Sequence, residues 1–133
     1  MKKSVDGVVG IVVAVSMLVG PVLVDAQESN PPMFVKGKFA VPINLDDVKK
    51  DWTARGYSSP KVELYTQGWS RDEHTHSVSL IMTLMTGRME FTFSGQRFVL
   101  EPGDELSYAA NTVHAARNAH DGSTEMVESF KRP

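Results

Sequence analysis

The side chains best suited to chemistry in this sequence are four histidines, His74, His76, His114 and His120. Cysteine is absent, which removes disulfides, thiolate nucleophiles, iron–sulfur clusters and cysteine-held zinc. Imidazole nitrogen is the donor that remains, and three imidazoles on one surface could hold a divalent cation such as Fe, Zn, Mn, Ni or Cu. His74 and His76 stand two apart, so on a strand both leave the same face. The same parity continues through Val78, Leu80, Met82 and Leu84, whereas the alternate set starts Thr75, Ser77, Ser79. The histidine face is therefore the expected core face. Imidazoles turned into it need partners, because an unpaired buried polar group costs about 1–3 kcal/mol. His114 shares its parity with Ala116 and Asn118, and the small neighbours Ala115 and Ala116 leave space beside it. A lone His-x-His pair is weak evidence for a metal, since most such histidines are packed or solvated. His120 falls in the turn His120-Asp121-Gly122 and is expected at the surface.

The elements that must carry these residues follow from periodicity. Asn44 can cap a helix running through Asp46, Asp47 and Trp52 to Arg55, with Gly56 at the position after the cap. Leu45, Val48 and Trp52 form one apolar stripe on it. From Lys61 onward the period is two. Strands are expected over 74–84, 89–93, 96–100, 106–109, 113–117 and 124–130, with a further alternating stretch over 61–67 and an edge strand within 33–41. Gly68, Gly87, Ser94-Gly95, Pro102-Gly103-Asp104 and His120-Asp121-Gly122 punctuate them. Short strands so spaced point to an all-β antiparallel sandwich or barrel. Phe91, Phe93, Met89, Met82 and Leu84 are expected to fill it, leaving a small apolar cavity. Trp52 and Trp69 are expected as core or lid residues.

The spacing around the histidines resembles the cupin superfamily. Its first motif is Gly, five residues, His-x-His, three or four residues, Glu, six residues, Gly. Here it reads Gly68, five residues, His74-Thr75-His76, three residues, Leu80, six residues, Gly87. The second motif, Gly, five residues, Pro-x-Gly, two residues, His, three residues, Asn, reads Gly103, five residues, Ala109-Ala110-Asn111, two residues, His114, three residues, Asn118. The stretch from Asp51-Trp52 to Gly56-Tyr57-Ser58 is similar to that of small single-domain bacterial cupins. The resemblance implies a double-stranded β-helix, the cupin jelly-roll barrel, with one short N-terminal helix. It also implies a divalent metal held by His74, His76 and His114, and a homodimer. Ala109 and Asn111 depart from the motif mildly, since Asn tolerates left-handed backbone. Leu80 departs from it more seriously, because it replaces the glutamate ligand.

With three neutral imidazoles and no carboxylate, a bound cation would keep its full charge, favour an anionic ligand and acidify bound water. Three-histidine cupin sites occur in iron oxygenases that cleave carbon–carbon bonds or oxidise thiols. The resemblance thus suggests a non-haem metal-dependent oxygenase acting on a small anionic or diketone-like substrate. The alternative is a non-catalytic cupin that binds or senses a small ligand or metal. Glu128 is the one catalytic candidate. It shares parity with Met126 and Phe130, so if those face the core it could be a ligand, a histidine partner or a general base; on a flipped strand it is solvated. Tyr65 and Gln67 line a pocket mouth or cross the outer face, and Asp72 and Glu73 are expected at the surface.

The N-terminus reads as an address. Lys2 and Lys3 precede an apolar run from Val8 to Val24, broken by Gly20-Pro21 and followed by Asp25-Ala26. That is the pattern of a secretory signal peptide over 1–26, cut after Ala26; an uncleaved membrane anchor is the competing reading. Residues 27–43 then form a linker and edge strand, and 44–133 the cupin domain. Export implies a periplasmic or secreted protein, loaded with metal outside the cytoplasm, where ferrous iron is the least favoured choice. The whole chain is 133 residues, 41% hydrophobic, with a formal net charge of −2. Losing Lys2, Lys3, Asp6 and Asp25 with the leader leaves that charge unchanged. No basic block suits nucleic acid, no membrane contact is expected after cleavage, and a small molecule is the expected partner.

Overall fold

The computed structural model describes residues 30–132, so the expected signal peptide lies outside the described residues. Among the described residues nine strands and one helix follow in order: β1 (Met33–Val35), α1 (Leu45–Ala54), β2 (Lys61–Tyr65), β3 (Ser70–His74), β4 (Ser79–Thr86), β5 (Met89–Phe93), β6 (Gln96–Leu100), β7 (Glu105–Tyr108), β8 (His114–Asn118) and β9 (Thr124–Lys131). They form two antiparallel sheets. One runs β1-β7-β4-β9-β2, the other β3-β8-β5-β6. The architecture is the expected double-stranded β-helix.

The main core lies between the sheets. Met82 and Leu84 of β4, Met89, Phe91 and Phe93 of β5, Leu106 of β7 and Met126 of β9 all pack into it. A second cluster lies on the outer face of the five-stranded sheet, where Val48 and Trp52 of α1 cover Ile81 and Val127. Strand β4 is therefore buried on both faces. That explains its nearly unbroken apolar run: the alternate parity is exposed at its start, at Thr75 and Ser77, as expected, but is fully buried at Ile81 and Thr83, where α1 covers Ile81.

The helix follows its punctuation. The Asn44 side chain accepts from the amides of Asp46 and Asp47 at 2.9 and 3.2 Å, Arg55 is the C-cap, and Gly56 has φ +90°, as a left-handed exit requires. Leu45 leaves the expected stripe and is 42% exposed. Trp52 donates its Nε1–H to Glu105 Oε2 at 2.9 Å, and Arg55 donates to both oxygens of the same buried carboxylate. The helix is thus clamped to β7 by packing and by a satisfied charge.

One strand expectation is corrected. No single strand spans 74–84: β3 ends at His74, β4 begins at Ser79, and the segment between them carries the chain from one sheet to the other. A strand over Ser70–His74 takes its place on the upstream side. In β2 the apolar residues Val62 and Leu64 face outward, 41% and 61% exposed, while Tyr65 packs against the inter-sheet core.

Candidate functional site

The three motif histidines reach one place by different routes. His74 closes β3, His76 sits in the connection that follows, and His114 opens β8 opposite His74 in register. Asn111, with φ +65°, donates its amide to the His76 carbonyl at 2.7 Å. That bond ties the turn before His114 to the connection carrying His76, so Asn serves where the motif expects Gly. Asn118 holds the far end of β8. Its Nδ2 donates to the carbonyls of Tyr65, Thr66 and Gly122, and its Oδ1 accepts from the His120 amide and the Thr124 hydroxyl. Gly87 is forced by close approach, since a Cβ there would lie 2.2 Å from Thr124 Oγ1.

The imidazoles converge. One donor atom from each of His74, His76 and His114 lies within 4.8 Å of the others, and the ring centroids are 4.2–5.2 Å apart. His74 Nδ1 lies 2.7 Å from the Asp72 carbonyl and His114 Nδ1 lies 2.9 Å from the Thr112 carbonyl. A carbonyl only accepts, so both Nδ1 atoms carry a proton, and in the neutral ring the lone pair is then on Nε2. That is the arrangement in which backbone carbonyls orient metal-binding histidines. Burial holds His114 at a pKa of about 4. Burial, followed by the charges of His74 and Arg71, also lowers His76. The His114 ring is therefore neutral at pH 7, with its Nε2 lone pair available as an acceptor.

The donor set fits a divalent cation. His114 Nε2 accepts from the Tyr108 hydroxyl at 3.0 Å, a bond worth about 1 kcal/mol net. A bound zinc ion is worth on the order of 10 kcal/mol, so the phenol yields. Leu80 lines the cavity among the histidines, and the cluster of potential ligands contains no carboxylate among the described residues.

The cavity around them measures about 190 Å³, below the range of about 300–1,000 Å³ typical for drug-sized ligands. Met82, Met89, Phe91 and Met126 supply apolar wall, as expected, and Trp69 joins them. Glu128 also lines it, so the inward alternative is the one realised. It accepts a hydrogen bond from the Tyr65 hydroxyl, and its pKa is raised, mainly by burial. Burial, with Glu128 adding to it, keeps the Tyr65 phenol protonated. Gln67 instead pairs with Asp121 at the surface. Asp72, Glu73 and His120 are exposed, as expected. Two cavity residues escape the sequence reading: Tyr108, which sits on β7 outside both motifs' ligand positions, and Arg71, whose strand parity with His74 is odd.

Two antiparallel sheets with a histidine triad on one cavity define a small double-stranded β-helix protein whose three imidazoles could hold a metal ion. The profile of the cupin domain family matches residues 61–130, and the chain belongs to that family. Among solved structures it is similar to a predicted oxalate decarboxylase from Thermotoga maritima, with 16% identity over 63% of this chain and 74% of that one, at TM-score 0.52. A conserved protein of unknown function from Streptococcus pyogenes aligns at 18% identity and TM-score 0.50 over 56% of this chain. That match takes in 63% of the other chain, less than two thirds of its length. A cupin superfamily protein from Desulfitobacterium hafniense aligns over 78% of this chain and 80% of that one at 18% identity and TM-score 0.47. At these identities the likeness concerns the fold alone. No curated protein matches the sequence significantly.

Proposed function

We propose that this protein is an exported small cupin that binds one divalent cation through His74, His76 and His114. In this reading it acts as a non-haem metal-dependent oxygenase on a small anionic or diketone-like molecule. The observation that supports the metal site is the convergence of one donor atom from each of three imidazoles within 4.8 Å, two of the rings having Nδ1 bonded to a backbone carbonyl. When bound, the cation supplies a Lewis-acid centre, and a redox-active one an electron source for dioxygen. The chain's own residues do the rest. Leu80 leaves the cation's charge uncancelled and so favours an anionic ligand. Met82, Met89, Phe91 and Met126 give the cavity an apolar side, against which charge interactions are stronger than in open water. Tyr65 and Glu128 hold a proton on the cavity wall, where Glu128 can act as acid or base. Export is part of the proposal, and cleavage after Ala26 leaves Gln27 as the first residue of the mature chain.

Elemental analysis of the purified protein, followed by titration with zinc and manganese, tests the metal. One equivalent is expected, and His76→Ala is expected to weaken zinc binding by roughly 100-fold while the barrel still folds. Less than about a tenth of an equivalent, with melting indifferent to chelator, overturns the site. Oxygen uptake with diketones, thiols and phenols after anaerobic iron loading tests the reaction. Full loading with no uptake overturns the oxygenase and leaves a binding or sensing module.

A further inference from the structure

In β3, Arg71 pairs with Ala116 and His74 pairs with His114, with a register shift between them. Two positions separate the partners on β8, but three separate Arg71 from His74. The extra residue is a β-bulge, a device that re-aims a side chain and gathers next to functional sites. In a regular strand, residues three apart leave opposite faces. Here Arg71 and His74 both line the cavity.

Arg71 is also the only lysine or arginine among the residues lining that cavity. Arg55, Arg88, Arg97 and Arg117 each have a carboxylate within 4.0 Å. Among the described residues Arg71 has none. Arg71 is solvent-exposed, yet it borders the cavity without an ion-pair partner, and the one carboxylate on that wall, Glu128, is hydrogen-bonded to Tyr65; a guanidinium so placed can receive an anionic ligand. Its flat fork matches a carboxylate with two parallel hydrogen bonds. A phosphate would call for more donors than one guanidinium supplies, and Glu128 on the cavity wall disfavours further negative charge.

We infer that Arg71 is the anion anchor of the cavity and that the cavity takes a short-chain carboxylate. The carboxylate sits on the guanidinium and the apolar body lies against Met82, Met89, Phe91 and Met126. This deepens the metal-site reading and rests on it for the identity of the cavity, while Arg71 itself is no part of the imidazole set.

Calorimetric titration of the zinc-free and zinc-loaded protein with butyrate and with butyramide tests it, because the two probes share shape and differ in charge. Wild-type protein is expected to bind butyrate with a Kd of about 10 mM or tighter and butyramide about tenfold more weakly. Arg71→Gln is expected to abolish that preference by weakening butyrate about tenfold, with zinc affinity unchanged within about twofold; Arg71→Lys keeps part of it. Arg97→Gln, which removes the same charge from a strand outside the cavity, leaves butyrate binding as in wild type. Butyrate binding that is indifferent to Arg71→Gln, equal binding of the two probes, or no butyrate binding in either form overturns the inference. Zinc titration of the same samples separates the two readings. A chain that refuses zinc yet shows an Arg71-dependent preference for butyrate supports the anchor and overturns the metal. One equivalent of zinc with butyrate indifferent to Arg71→Gln overturns the anchor alone.

Discussion

At the scale of single residues, Leu80 and Glu128 divide between them what one motif glutamate would do. Leu80 lines the cavity at the ligand position without a donor, and the acid that the cavity holds is on β9, hydrogen-bonded to Tyr65 rather than to a histidine. Leu80→Glu is expected to tighten zinc binding by about tenfold or more, because a carboxylate cancels part of the cation's charge. A chelator-competition titration showing unchanged or weaker affinity would place Leu80 away from the ion. Glu128 makes a separate prediction about pH. Its folded-state pKa is raised, chiefly by burial, so the folded chain keeps this proton to higher pH than the unfolded chain does. The stability it contributes is present in acid and lost as pH climbs through the folded-state pKa. Glu128→Gln stays neutral and keeps the hydrogen-bond acceptor for Tyr65. It is expected to raise the Tm by about 2–5 °C at pH 7 and to leave it unchanged at pH 4. An equal shift at both values, measured by thermal unfolding, would contradict the raised pKa.

At the scale of elements, helix α1 is a structural cover rather than part of the site. Trp52 is fully buried and its indole satisfies one oxygen of the buried Glu105, which Arg55 also grips. Trp52→Phe preserves most of the apolar contact but removes that donor, leaving a buried carboxylate short of a partner. A loss of about 1–3 kcal/mol in unfolding free energy is expected, with zinc affinity unchanged; denaturant unfolding and zinc titration read the two separately. A variant that lost zinc while still folded would mean that α1 reaches the cavity through β4. The bulge in β3 is the element-scale feature that bears on function. Strand pattern alone sets Arg71 on the opposite face from His74, and only the pairing with β8 reveals the extra residue that turns it inward.

At the scale of the whole molecule, the barrel is expected to fold without the cation. The inter-sheet core and the cluster under α1 are built from apolar side chains, and the buried His114 packs against Phe93 and Tyr108 as an aromatic ring. Chelation is therefore expected to lower the Tm by only the linkage amount, about 2.7 kcal/mol of stability when zinc had stood at 100 times its Kd, and far-ultraviolet circular dichroism is expected to stay that of a β protein. Collapse of that spectrum on chelation would make the ion structural instead.

Much of this was legible in the chain itself. The barrel and the histidine triad rest on local matters: side chains that alternate along a strand, turns that demand Gly or Asn, and motif spacings that survive wherever the strands pair. The caps of α1 belong to the same class, since Asn44 and Gly56 act on backbone groups a few residues away. Other features depend on contacts between distant segments. The side of β9 that carries Glu128, the burial of Ile81 under the helix, the outward turn of Val62 and Leu64, and the aim of Arg71 are all of this kind. Each is settled by register and packing across sheets, where a single extra residue or one covering helix reverses what alternation prescribes.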